Sequence, residues 1–172
     1  MQNLVTVIIA SYNHGPYIEE SIQSVLRQTY PHIELLVIDD GSSDDSVARI
    51  AALQASHGFD FRTQRNIGLT RTLNDAIARA RGEFIAPFGS DDIMLPERIA
   101  LQMAHVADKP EVGICAGNIQ LMNSDGTPYA VKRPADWYLL RQRIASVFVR
   151  ADLRHVSFAK EDCTEETLAD LA

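Results

Sequence analysis

Through the first two-thirds of the chain, short runs of β-branched and apolar residues alternate with stretches of helical period. Val5–Ala10 is such a run, closed by the polar loop Ser11-Tyr12-Asn13-His14-Gly15-Pro16. Pro16 suits a first helical turn. Ile18, Ile22, Val25 and Leu26 then recur on one face, with Glu19, Glu20, Gln23 and Arg27 on the other. Pro31 ends that segment, and Ile33–Ile38 is a second buried strand. Ser43 or Asp44 can cap a second helix that carries Val47, Ile50, Ala51 and Leu53 and stops at Gly58. A short third strand, Phe59–Thr63, leads through the turn Asn66-Ile67-Gly68 into a helix with Leu69, Leu73, Ile77 and Ala80 on one face. Glu83–Phe88 is the fourth strand, and Pro96 opens a helix over about residues 97–107. Val112–Met122 reads as a strand, joined through Asn123-Ser124-Asp125-Gly126 to a partner near Tyr129–Lys132. Trp137–Val149 reads as helical or mixed, and the acidic Ala159–Ala172 as a short helix. This alternation predicts an α/β fold with a mainly parallel sheet and helices on both faces. Ligands of such sheets bind beyond the carboxyl ends of the strands.

Two acidic clusters lie at those ends. Asp39-Asp40-Gly41-Ser42-Ser43-Asp44-Asp45 follows the second strand, and Gly89-Ser90-Asp91-Asp92 follows the fourth. A carboxylate pair abutting a buried strand is costly unless something balances its charge. For Asp39-Asp40 two readings stand: an Asp-Gly turn with a following cap, or carboxylates that accept hydrogen bonds from a ribose or a base. Asp44 and Asp45 read as first-turn carboxylates near a helix N-terminus. Asp91-Asp92 is followed at once by apolar Ile93-Met94-Leu95. It is either a solvated turn or the one or two carboxylates that a hard cation such as Mg2+ or Mn2+ takes beside substrate phosphates. Tyr12 can stack on a base, and Asn66 and Gly68 can bring a carbonyl or amide to the same edge.

A net charge of −7 argues against a general nucleic-acid binder. A nucleotide ligand is compatible with it, because a metal supplies the missing positive charge. Cys115 and Cys163 match no zinc spacing, so they are expected to be reduced thiols in a cytoplasmic protein. The chain carries no basic n-region and no apolar run of membrane-spanning length. No Gly-x-Gly-x-x-Gly or Walker A pattern occurs. A phospho-receiver reading of Leu36–Asp40 is disfavoured, because the pair follows the second strand and a second pair exists at Asp91-Asp92.

Taken in order, several segments resemble the family 2 glycosyltransferases of the GT-A fold. They are Val5–Asn13, Ser24–Tyr30, Glu34–Ser42, Asn66–Gly68, Ala80–Ala86 and Ser90–Arg98. The likeness covers about residues 4–122. It implies a Rossmann-like nucleotide-sugar-binding core over residues 1–122 and a shortened acceptor-side segment over 123–172. It also implies an inverting transfer from a nucleotide-sugar donor, most often a UDP-sugar, with Mn2+ or Mg2+. The acceptor would be a saccharide, a lipid-linked sugar or a protein, handled in the cytoplasm or at the inner face of the membrane. By position, Ala10, Ser11, Tyr12, Asn13, Asp39 and Asp40 would hold base and ribose, with Asn66 and Gly68 nearby. Ser90 and Asp91 would serve the ribose, and Asp91 and Asp92 the metal. The family usually has an acidic residue where this chain has Gly89, which leaves open which of Asp91 and Asp92 ligates the metal. Asp162, in the pair Glu161-Asp162, is the candidate base, without the aromatic and Arg neighbours usual around it. The short tail keeps a second reading in view, a nucleotide-sugar-binding module without turnover.

Overall fold

The computed structural model describes residues 3–106, 109, 112–117, 120, 122–128 and, as backbone, 147–150. Among these, the strands are β1 (Val5–Ser11), β2 (Ile33–Asp39), β3 (Asp60–Thr63), β4 (Phe84–Gly89), β5 (Ile114–Ala116) and β6 (Val147–Arg150). The helices are α1 (Gly15–Leu26), α2 (Ser46–His57), α3 (Leu69–Arg79) and α4 (Arg98–Val106). The strands form one sheet in the order β3-β2-β1-β4-β6-β5. The first four are parallel, and β6 runs antiparallel to both β4 and β5. From β1 the chain winds outward through β2 to β3, then crosses to β4 on the other flank of β1. The order therefore reverses between β1 and β4, the kind of switch point at which a crevice opens beyond the strand ends.

Register fixes what meets at that crevice. Ser11 lies beside Asp39, and Ala10 beside Gly89. One sheet face buries Val5, Val7, Ile9, Val37 and Ala86 against Ile18 and Ile22 of α1, Ile50 of α2 and Ile99 of α4. The other buries Ile8, Leu36, Ile38 and Ile85 against Ala76 of α3. Helices thus cover both faces, as the alternation predicts. Each fully buried Ile or Val is worth about 1.5–3 kcal/mol of transfer free energy.

Some helix faces differ from expectation. Leu26 and Ala51 are exposed, each one residue, or about 100°, past a buried Val25 or Ile50. In α3 the buried residues are Thr72 and Ala76, while Leu69 and Ile77 are exposed. Gln64 Nε2 donates to Thr72 Oγ1 at 2.8 Å, which turns that side of α3 toward the sheet. The small Ala76 then sits flush on Ile8 and Ile38. Among the described residues of Val112–Met122, Ile114–Ala116 is strand, and the expected turn at 123–126 is flanked by an antiparallel bridge from Met122 to Pro128. Residues 147–149, expected within a helical or mixed stretch, belong to strand β6. The expected partner strand at 129–132 and helix at 159–172 lie outside the described residues.

The amino-terminal strand ends are closed by a charge network. Glu34 Oε2 accepts from Thr6 Oγ1 at 2.6 Å and from the Arg81 backbone N–H, while Oε1 takes Arg81 Nε at 2.6 Å. A cavity of about 850 Å³ opens at this edge, lined by Glu34, Asp60, Arg62, Arg79 and Arg81 among others. Its charges pair with one another, Arg62 with Asp60 and Arg81 with Glu34. The sequence-predicted site residues lie at the opposite edge.

Candidate functional site

Each sequence-predicted donor-site residue from Ala10 to Asp92 stands at the carboxyl edge of the sheet or in the loops leaving it. Asp162 lies outside the described residues. The β2 carboxylates are not alike. Asp39 is fully buried and folds onto its own turn, accepting from Ser42 N at 2.8 Å and Ser42 Oγ at 2.5 Å. Asp40 is also buried and reaches across to the β3–α3 loop. Its Oδ1 accepts from Gln64 Nε2 at 2.8 Å and Ile67 N at 3.0 Å, and its Oδ2 from Gly68 N at 2.9 Å. In this structure Asp40 therefore holds the Asn66–Gly68 loop at the rim. Gln64 went unnoticed in the sequence; only the parallel register, Asp39 beside Thr63, puts it opposite Asp40.

Burial alone would raise the Asp40 pKa, but the hydrogen bonds from Gln64, Ile67 and Gly68 outweigh it and leave the group below its ordinary 3.8. A carboxyl lowered on folding adds stability above its unfolded pKa and loses it as pH falls through the folded value. That loss belongs below pH 3.8. Asp40→Ala leaves three donors without their acceptor and should cost about 3 kcal/mol at neutral pH. Urea unfolding measures it, and the difference from wild type should shrink as acid protonates Asp40.

The β1–α1 loop is knitted to the β2–α2 loop. Asn13 takes a left-handed backbone (φ 55°), which Asn tolerates better than most residues. Its N–H donates to Ser42 Oγ at 2.9 Å, and its Oδ1 accepts from Ser43 N at 2.8 Å. Asp44 does not take the cap position of α2. It accepts from Gly15 N at 2.9 Å and from Ser46 N at 3.0 Å, joining both loops, while Asp45 pairs with Arg49. Ser11 Oγ is buried without a hydrogen-bond partner, and Tyr12 stands half-exposed beside it.

The β4 turn carries the paired carboxylates. Ser21 Oγ donates to Gly89 O at 2.9 Å, and Met94 N donates to Ser24 Oγ at 2.9 Å, so α1 grips both ends. Between them Ser90 is buried, and its Oγ lies 2.6 Å from His14 Nδ1. A Cβ on Gly89 would lie 2.5 Å from Asp92 Oδ2 and 3.2 Å from Asp91 Oδ1. The two carboxylates thus converge on the space that the missing side chain leaves free. Burial and then the Asp91 charge push the Asp92 carboxyl up, against the pull of Arg98. Burial brings Arg98 down to about 10 despite Asp92, so it stays charged. Its guanidinium lies 5.6 Å over the Phe88 ring, and its Nη2 is buried without a partner.

The family model described as glycosyl transferase family 2 matches residues 6–158. The chain belongs to that family. A relative, the E. coli UDP-Glc:alpha-D-GlcNAc-diphosphoundecaprenol beta-1,3-glucosyltransferase WfgD, is 34% identical over 122 residues, covering 71% of this chain and 48% of its own. Among solved structures, the Pyrobaculum calidifontis mannosyltransferase PcManGT, in complex with GDP-Man and Mn2+, superposes with a TM-score of 0.67 at 24% identity. That match covers 89% of this chain and 46% of the mannosyltransferase. S. aureus TarS 1-349 in complex with UDP-GlcNAc gives 0.66 at 22% identity, over 87% of this chain and 46% of TarS. These likenesses show the GT-A fold. The family 2 chain spans half or less of the length of the curated relatives it matches.

The residues of this family 2 member fit a divalent cation. Among the described residues no group of three or more His, Cys, Asp or Glu side chains could hold one. Mg2+ and Mn2+ at phosphate-transferring sites need only one or two carboxylates, with substrate phosphates completing the shell. Asp91 and Asp92 meet that requirement, and their mutual repulsion is what a cation would relieve. Gly89→Ala tests the arrangement. The new methyl meets only side-chain atoms that can rotate away, so thermal stability should change little. Displacing Asp92 should nevertheless weaken Mn2+ binding about tenfold, read by calorimetric titration.

Proposed function

We propose that this chain binds a nucleotide-diphosphate sugar, most simply a UDP-sugar, at the β1/β4 crevice and transfers the sugar with inversion to an acceptor hydroxyl. The observation that carries this reading is the meeting of three cross-linked strand-end loops at the topological switch point, with two carboxylates on one of them. Tyr12 stacks on the base. Ala10, Ser11 and Asn13, with Asp39 and Asp40 behind their loops, shape the base and ribose pocket, and Asn66 and Gly68 form its rim. Ser90 and Asp91 meet the ribose, and Asp91 with Asp92 holds Mn2+ or Mg2+. The bound cation supplies neutralising charge to the diphosphate. In the transfer a carboxylate takes the acceptor proton as the acceptor oxygen bonds to the anomeric carbon. The bond from that carbon to the diphosphate oxygen breaks, and the nucleoside diphosphate leaves with the electron pair. Asp162 is proposed as that carboxylate.

Residues 1–122 would form the donor core and 123–172 the acceptor side, with β6 of the latter joining the sheet. The E. coli relative is named for a lipid-linked acceptor, which supports the same acceptor class here, and work at the inner face of the membrane is proposed with it. No helix among the described residues is long and apolar enough to cross a membrane. Gly89, standing where the family usually has an acidic residue, favours a second reading, donor binding without turnover. UDP release from UDP-sugars with Mn2+, measured beside the UDP-induced rise in melting temperature, separates the two. Donor binding without release under any acceptor removes the transfer claim, and absence of nucleotide binding removes both.

A further inference from the structure

The crevice loops are joined unequally. The β1–α1 and β2–α2 loops share four side-chain hydrogen bonds, Asn13 N to Ser42 Oγ, Ser43 N and Ser43 Oγ to Asn13 Oδ1, and Gly15 N to Asp44 Oδ2, three of them with a backbone N–H as donor. The β4 turn is gripped by α1 at residues 89 and 94. Between those grips lie Ser90, Asp91, Asp92 and Ile93. Among the described residues, one side chain from outside the turn hydrogen-bonds within that stretch: His14, through Nδ1 to the buried Ser90 Oγ at 2.6 Å. His14 follows Tyr12-Asn13 directly, so this contact is a side-chain tie between the nucleotide loop and the carboxylate turn.

We propose that His14 is a positioning residue that fixes Ser90, and through it the Asp91 carboxylate, so that nucleotide and divalent cation bind cooperatively. This rests on the nucleotide-sugar reading above. A group that orients a metal ligand from behind governs affinity without touching the ion. Because the same loop carries Tyr12 and Asn13, a nucleotide that orders it also orders the turn, and coupling of that kind is reciprocal.

The test uses the full chain and measures Mn2+ binding, and UDP binding with and without Mn2+, by titration calorimetry. His14→Ala should weaken Mn2+ binding, and UDP binding in Mn2+, about tenfold, while metal-free UDP binding stays unchanged. His14→Asn keeps a polar group at the δ position and should restore both; His14→Gln, with its amide one bond further out, should not. Ser90→Ala should weaken Mn2+ binding as much as His14→Ala does, and for Mn2+ the double variant should be no worse than either alone, as expected of one shared contact. Should His14→Ala fail to fold, the Asn and Gln pair decides. Equal losses with and without metal, or additive losses in the double variant, would overturn the proposal. If wild type binds UDP and Mn2+ and His14→Ala binds them equally well, only the His14 role falls. If wild type binds neither, the nucleotide-sugar reading falls with it.

Discussion

Gly41→Ala should lower folding stability by about 3 kcal/mol, from left-handed strain of about 1–2 kcal/mol and overpacking of about 1–3 kcal/mol. Gly41 has φ +81°, and a Cβ there would lie 2.7 Å from the backbone nitrogen of Asn66, with Gln64 O at 3.2 Å. Neither atom is the movable end of a side chain, so the β3–α3 loop itself must shift. That loop is the one Asp40 holds through Gln64, Ile67 and Gly68, so the strain spreads into a buried carboxylate network. The melting temperature should fall by about 6–12 °C for a chain of this size. Gly58→Ala is the control. It also has positive φ, +75°, but no atom within 4 Å, so it should lose only the left-handed strain of about 1–2 kcal/mol. The difference between the two isolates the collision. Gly41→Ala should also weaken UDP binding, and Gly58→Ala should not.

The strands were readable because each is a short β-branched run ended by turn residues, and that rule places Val5–Ala10, Ile33–Ile38 and Glu83–Phe88 within a residue of the observed elements. Their common carboxyl edge followed from the alternation alone. The partners of the acidic residues did not. Asp39 looks like Asp40 in sequence, yet one closes its own turn and the other reaches residues 64–68. What separates them is sheet register, a long-range property that local pattern does not carry. The His14–Ser90 contact spans 76 positions and has no local trace beyond a histidine in a loop. The face of α3 was misread for a different reason. Leu73 and Ala80 do pack against the sheet beside the buried Ala76 and Thr72, but Leu69 and Ile77 stand exposed, because the hydrogen bond from Gln64 to Thr72 sets which side of the helix faces inward. Strand β6 carries too short a run to outweigh the helical period around it.

On the proposed donor reading, replacing both β4 carboxylates, Asp91→Asn with Asp92→Asn, should sharply reduce metal-dependent turnover while leaving the metal-free fold as stable or more so. The pair converges on the space above Gly89 without an opposite charge in hydrogen-bond contact among the described residues. Burial and Asp91 together raise the Asp92 pKa. A carboxyl raised on folding contributes stability that is full below its unfolded pKa and is lost as pH rises through the folded value. At neutral pH the ionised pair is therefore a cost, and the amides remove it. Melting in a chelating buffer should show wild type gaining relative to the double variant as pH falls from neutral toward Asp92's raised value. Added Mn2+ should reverse the order at neutral pH, stabilising wild type and not the variant. Lewis-acid charge stabilisation is worth several kcal/mol, and each 1.36 kcal/mol is tenfold in rate, so UDP-sugar turnover should fall roughly a thousandfold. A site tuned for a ligand is commonly unfavourable without it. The opposing signs of the two readouts, stability up and turnover down, would identify these carboxylates as kept for the cation rather than for the fold. Loss of stability in the double variant without metal would assign them to the turn instead.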